Sequence, residues 1–154
     1  MNFMHVVTSQ FPAVLAAAIA GLIAMHLAMW LITRRGWAKG NMVVALGSLI
    51  TRTRENAFFV GLLLHIFVGI IFAAVYLFAL TQFQLTQLPA AFIAGVCFGL
   101  IHGMVVTLML VWVVSDQHPL EEFQDAGLAV GVSHIAGHIA YGAAVGLTIG
   151  AMLQ

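Results

Sequence analysis

Five of the seven histidines lie inside long uncharged stretches, and they are the residues in this chain best suited to chemistry. The interior of these stretches contains no Asp, Glu, Lys or Arg, so imidazole is the only group there that titrates near neutral pH. Ionisable side chains are costly in an apolar interior and are functional candidates for that reason. The five are His26, His65, His102, His134 and His138.

Neutral imidazole is a ligand of haem iron, copper, zinc and non-haem iron, so the first interpretation is ligation. Thioethers near the histidines would suit copper(I). We predict that four histidines bind a cofactor, with haem as one candidate, and that the same four together with His26 are candidate ligands of a transition metal. The four are His65, His102, His134 and His138.

Depth along the helices predicts which imidazoles meet. Counting about 1.5 Å per residue from the basic-loop end places His26 at about 9 Å, His134 at about 12 Å and His65 at about 13 Å, with His102 and His138 both near about 18 Å. The level pairs are therefore His65 with His134, and His102 with His138.

Two other roles stay open for the histidines. They could relay protons or line the path of a small solute, which would make the protein a small transporter or proton conductor. They could also only hydrogen-bond across helices, in a purely structural assembly partner or accessory subunit. The chain has no glycine-rich phosphate loop, paired cysteines or HExxH motif, so we assign no catalytic residue and expect no enzyme.

The elements that position the histidines are membrane spans. The chain has 154 residues, 63% hydrophobic and only 6% charged, which excludes a water-soluble domain. The net charge is zero, so no electrostatic attraction to nucleic acid is expected. Apolar runs of about 20 residues predict an all-α, single transmembrane domain over residues 1–154, an integral four-helix bundle. The predicted spans are 12–32, 56–80, 89–114 and 125–152.

Charge predicts how the spans are oriented. All five Lys and Arg residues lie between the first and second spans, which the positive-inside rule places in the cytoplasm of a cell with this protein in its inner (plasma) membrane. Both termini are then outside. The acidic segment 116–125 shares the face of the basic loop, so salt bridges between the two loops are expected.

Three further predictions concern a short apolar segment, two histidines and the cysteine. The apolar segment 42–50 is too short to cross a membrane and is predicted to be interfacial or re-entrant. His5 and His118 are predicted to be surface residues. Cys97, the single cysteine, is predicted to be a small buried residue.

Small residues spaced by four predict close helix packing. The partner helix could belong to the same chain, to another membrane subunit or to a second copy in a homo-oligomer, and the lipid bilayer is the remaining expected partner. The motifs are Gly95, Gly99 and Gly103 in the third span and Gly142, Gly146 and Gly150 in the fourth.

A short repeat links the second and fourth spans. His65-Ile-Phe-Val-Gly69 matches His138-Ile-Ala-Tyr-Gly142, which suggests a duplicated helical hairpin, with coincidence in an apolar chain as the alternative. The segments 61–76 and 137–146 that contain them resemble an uncharacterised group of small four-helix bacterial and archaeal membrane proteins, a domain of unknown function. The resemblance implies the four-helix fold and draws attention to His65 and His138; it implies no activity.

Overall fold

The protein is described by a computed structural model that covers residues 2–38, 41–109 and 115–153. These ranges contain helices and no strand. The six α-helices are α1 (Phe3–Ser9), α2 (Phe11–Arg34), α3 (Met42–Thr51), α4 (Ala57–Gln82), α5 (Ala90–Met109) and α6 (Leu128–Met152), and a 3₁₀ helix covers Glu121–Phe123.

Four of the helices, α2, α4, α5 and α6, are long and apolar enough to cross a membrane. They coincide with the four predicted spans to within a few residues, except that the predicted end of the third span, 110–114, lies outside the described residues. Many large apolar side chains on these helices are exposed to the surroundings, which suits contact with lipid. Examples are Ile23, Leu63, Phe67, Ile101 and Leu147.

Two short helices make the architecture more than a four-helix bundle. The helix α3 covers the segment predicted to be interfacial or re-entrant, and α1 was not predicted. Each begins with an asparagine cap: the side-chain oxygen of Asn2 accepts from the backbone N–H of His5 at 2.9 Å, and that of Asn41 from Val44 at 3.3 Å. Such caps satisfy backbone groups that a helix end leaves without partners.

Glycines set the closest helix contacts, and both helices of each such contact belong to this chain. A Cβ atom on Gly95 would meet the backbone carbonyl of Gly142, and one on Gly99 would meet that of His138. Gly47 and Gly61 bring α3 against α4 in the same way. The glycine faces of α5 and α6 are therefore covered by each other, so they are not free to join a second copy.

The bundle is closed at one end and open at the other. The helix α6 packs along α5 and α2, and α4 packs along α2 and α3, while α4 and α5 make few direct contacts. At the end away from the basic loop, fully buried apolar side chains fill the centre: Val14, Leu77, Leu80, Val145 and Ile149. Towards the basic loop, a cavity rather than a buried apolar layer lies between α4 and α5 in the part of the chain that the structure describes, and four of the histidines line it.

At the open end, an ion pair and one buried imidazole connect the loops. Arg54 donates two hydrogen bonds of 2.6 Å to the carboxylate of Glu122, as predicted for the basic and acidic loops. The prediction that His118 is a surface residue was wrong, because its side chain is only 1% exposed. Its Nε2 lies 3.1 Å from the carbonyl of Ala45, and its Nδ1 accepts from the backbone N–H of Leu120 at 3.1 Å.

Cys97 also differs from its prediction. The side chain is exposed rather than buried. Apolar runs in a membrane protein contain lipid-facing as well as core-facing positions, and a uniformly apolar helix gives little indication of which face a given residue occupies.

Candidate cofactor cavity

A cavity of about 400 Å³ lies between α4 and α5. Apolar side chains from α3, α4 and α5 form most of its wall, among them Leu46, Val68 and Val105. The polar lining residues fall into two groups. Glu122 and Asp125 lie at the loop end, and deeper in the bundle are His65, His102, His134, His138 and Tyr141.

The cavity thus brings together all four histidines predicted to bind a cofactor. His65 comes from α4, His102 from α5, and His134 and His138 from α6. The two α6 histidines are four residues apart, and so both lie on the same face of the helix. Both are almost completely buried in the protein, at 2% and 7% exposure.

Backbone carbonyls fix the tautomer of both α6 imidazoles. The Nδ1 atom of His134 lies 2.7 Å from the carbonyl oxygen of Val130, and that of His138 lies 2.8 Å from the carbonyl oxygen of His134. A carbonyl can only accept, so each Nδ1 carries the hydrogen. The lone pair of each neutral ring is then on Nε2, and metal-binding histidines in proteins are commonly oriented by this kind of bond.

His102 lies in an aromatic cluster on the deep side of the cavity. Its ring stacks on Phe72 with centroids 3.8 Å apart and meets the ring of His138 edge-on at 4.5 Å. The hydroxyl of Tyr76 lies 3.3 Å from its Nδ1. The predicted level pair of His102 and His138 is therefore confirmed as a direct ring contact.

His26 is not among the residues that line this cavity; its ring lies against that of His65, with centroids 5.1 Å apart. The depth estimate did not predict this contact, because it counted backbone rise alone. Helical side chains tilt towards the N-terminus of their own helix. Because α2 and α4 run in opposite directions, the rings of His26 and His65 tilt towards each other and close the difference in depth.

The aromatic residues of the site were not predicted. Tyr141 donates a 2.6 Å hydrogen bond to the carbonyl of Gly69, and its ring lies over Gly21, where a Cβ would be 2.7 Å from the ring. One sequence signal was available: Tyr141 follows His138 by three residues and so shares its helix face. The proximity of Tyr76 and Phe72 to His102 depends on how α4 packs and has no local signal.

The spacing of the possible ligand side chains limits which metal sites the imidazoles can form without rearrangement. Within the described residues, no three side chains of His, Cys, Asp or Glu are grouped closely enough to hold a metal ion. The predicted five-histidine metal site is thus not one preassembled centre. Four of the imidazoles line one cavity, and one of these four, His65, also contacts His26.

Comparison with protein-family models, curated proteins and solved structures gives no match. The resemblance to small four-helix membrane proteins therefore stays a prediction.

Proposed function

We propose that this chain is a multi-pass protein of the inner (plasma) membrane that binds a cofactor, a haem or a transition-metal ion, through imidazoles in the α4–α5 cavity. The positive-inside rule supports an orientation with the basic loop in the cytoplasm and both termini outside. The protein would act as a cofactor-holding or accessory subunit rather than as an enzyme.

One observation carries this proposal: imidazoles from three helices line a single cavity, and two of them have Nδ1 fixed by a carbonyl. Cofactor pockets are typically apolar with a few polar groups aimed inward, and this cavity has that character. Because Nδ1 of His134 and Nδ1 of His138 donate to carbonyls, the lone pair on each Nε2 is the one available to a Lewis acid or a hydrogen-bond donor in the cavity.

Ring spacing decides which histidines could hold a haem. Two axial imidazoles on one iron have centroids roughly 6 Å apart, given a metal–nitrogen bond of about 2.0 Å on each side. The rings of His102 and His138, at 4.5 Å, are too close for this. A haem would instead be held by His65 together with His134 or His138, and would supply redox chemistry in the cavity.

The first test is the absorption spectrum and metal content of protein purified in detergent without chelators. We expect a haem spectrum or a stoichiometric metal, and we expect its loss when His134 and His138 are both changed to alanine. His5→Ala is the matched control, because His5 is exposed on α1. A colourless, metal-free protein whose double variant behaves like the wild type would refute the proposal.

Conduction is a second candidate, and one contact favours it. The Tyr76 hydroxyl beside Nδ1 of His102 extends the imidazole series towards the closed end, as a proton relay requires. The next layer, with Leu77, Val145 and Ile149 fully buried, supplies no polar group to continue it. Histidine-dependent proton flux in liposomes from a cofactor-free protein would favour conduction over cofactor binding, and the absence of both would favour a structural assembly partner.

A further inference from the structure

A second cavity, of about 440 Å³, lies on the α2 side of the bundle. It shares His65, Met25 and Met42 with the α4–α5 cavity, so these three side chains form the wall between the two. The remaining lining differs in chemistry, because this cavity adds His26 and the thioether of Met29 and includes no carboxylate.

Two residues that line this cavity each have a buried ring nitrogen without a hydrogen-bond partner among the described residues: Nε2 of His26 and Nδ1 of His65. The other nitrogen of His26, Nδ1, lies 2.7 Å from the carbonyl of Leu22 and must donate to it. The lone pair of the neutral His26 ring is therefore on the unpartnered Nε2. A buried polar atom without a partner is unfavourable and calls for an explanation, and a bound cation is one.

The spacing of the two rings suits a small ion. Imidazoles bound to one metal at a tetrahedral angle have centroids about 5 Å apart, from metal–nitrogen bonds of about 2.0 Å. The rings of His26 and His65 have centroids 5.1 Å apart. The separation of these two rings therefore matches that of two imidazoles bound to one tetrahedral metal ion.

Thioethers identify the class of metal. Met25 is 3% exposed, and Met29, one turn further along α2, packs against Gly137 of α6. Thioether ligands select soft ions, copper(I) above all, whereas magnesium, calcium and manganese prefer carboxylates and carbonyls. Zinc sites generally take three or four ligands from His, Cys, Asp and Glu. The described residues offer no such group here.

We propose that His26 and His65, with thioether sulfur from Met25 and Met29, form a copper(I) site in the membrane interior. His26 binds through Nε2 and His65 through Nδ1, the two nitrogens that have no other partner. The site goes beyond the proposed cofactor function and does not require the cofactor. Two of its ligands, His65 and Met25, also line the α4–α5 cavity.

The test is a titration of chelator-washed protein in detergent with copper(I), under anaerobic reducing conditions, against a chromogenic copper(I) chelator. We expect one bound equivalent and an X-ray absorption spectrum with both nitrogen and sulfur scatterers. His26→Ala should weaken binding roughly tenfold or more, since even indirect changes near metal ligands cost that much.

The paired change Met25→Leu and Met29→Leu keeps the packing volume, so the variant should fold, and we expect it to lose the sulfur scattering and bind more weakly. Met104→Leu is the matched control, because Met104 is a half-exposed methionine of α5 that lines neither cavity. Circular dichroism checks that each variant remains helical.

Three results would overturn the copper site: no copper(I) bound by the folded wild type, a spectrum without sulfur scatterers, or unchanged affinity in the folded Met25→Leu/Met29→Leu variant. A different result would refute the proposed cofactor binding in the α4–α5 cavity. If the His134→Ala/His138→Ala variant has the cofactor content of the wild type while copper(I) binding depends on His26, the cofactor proposal is wrong and the copper site stands.

Discussion

The His102–His138 pair and the His26–His65 pair both join imidazoles from different helices, yet their surroundings differ. In the first pair, Nδ1 of His102 meets the Tyr76 hydroxyl, Nδ1 of His138 meets a carbonyl, and Phe72 stacks on His102. In the second pair, one buried nitrogen on each ring has no partner within the described residues. Buried polar groups that are satisfied stabilise a unique packing, whereas unsatisfied ones mark a place where a ligand would add stability.

The difference follows from which helices meet. The helices α5 and α6 are pressed together by glycines, which holds His102 against His138. His26 and His65 instead join α2 to α4, which contact each other less extensively than α5 and α6 do, and both residues line the second cavity. Close packing of α5 against α6 thus holds the first pair beside the partners of its Nδ1 atoms, whereas the second pair lies at a cavity and has two buried nitrogens without a partner among the described residues.

The largest effect is expected for Gly99→Val, which places a side chain between α5 and α6. The new side chain would meet the backbone of His138, which cannot move aside, so we expect destabilisation near the top of the range for overpacked cores, about 3 kcal/mol. Thermal unfolding in detergent measures it. Cys97→Val is the control on the same helix, since Cys97 is exposed; equal melting temperatures for the two variants would contradict the glycine argument.

A second prediction contrasts the pairs directly in the metal-free protein. His102→Leu leaves the Tyr76 hydroxyl without its imidazole partner and should cost about 1–3 kcal/mol. His65→Leu removes a ring that has an unpartnered nitrogen and should cost clearly less. Adding Tyr76→Phe to His102→Leu should recover part of the loss. A larger loss of stability for His65→Leu than for His102→Leu, in urea or thermal unfolding, would contradict this difference between the two pairs.

A third prediction concerns His118, which is buried but belongs to neither pair. His118→Ala leaves the backbone N–H of Leu120 without its acceptor and should lower stability by about 1–2 kcal/mol, compared with no change for the exposed His5→Ala. Cofactor content should stay normal in His118→Ala and fall in His138→Ala. A reduced cofactor content in both would mean that the loop, rather than the imidazole of His138, determines binding.

The smallest expected effect concerns the Arg54–Glu122 ion pair at the loop end. The hydrogen bonds from Arg54 lower the pKa of Glu122 in the folded protein. The stabilisation is therefore present above the ordinary pKa of a glutamate and is lost as pH falls through the lowered value. Both side chains are exposed and screened by salt, so Glu122→Gln should lower the melting temperature only slightly at neutral pH and not at all in acid.

The control for this pair is Glu121→Gln, the neighbouring carboxylate in the same 3₁₀ helix. An equal change in melting temperature for Glu121→Gln and Glu122→Gln would show that loop charge in general, and not the ion pair, is responsible.

Much of the fold could be predicted because its long apolar runs are of the kind that cross a bilayer, and such runs are restricted to helices. Four runs of about 20 apolar residues coincide with α2, α4, α5 and α6, since a chain in lipid must satisfy its backbone hydrogen bonds within helices. The helix α1 was missed because seven residues carry too little periodic signal to stand out. The site was predicted in part: four histidines do share a cavity, and His102 does contact His138, but the contact of His26 with His65 depends on side-chain tilt.

By itself, the sequence determined that this chain is helical, that it is apolar enough to enter a membrane and that its interior imidazoles lie towards the basic loop. Composition and spacing act locally, so they are sufficient for these features. Three features became visible only in three dimensions: the cavity between α4 and α5, the burial of His118, and two ring nitrogens without a partner among the described residues. These features depend on which backbones approach closely, and that is set by contacts between residues far apart in the chain.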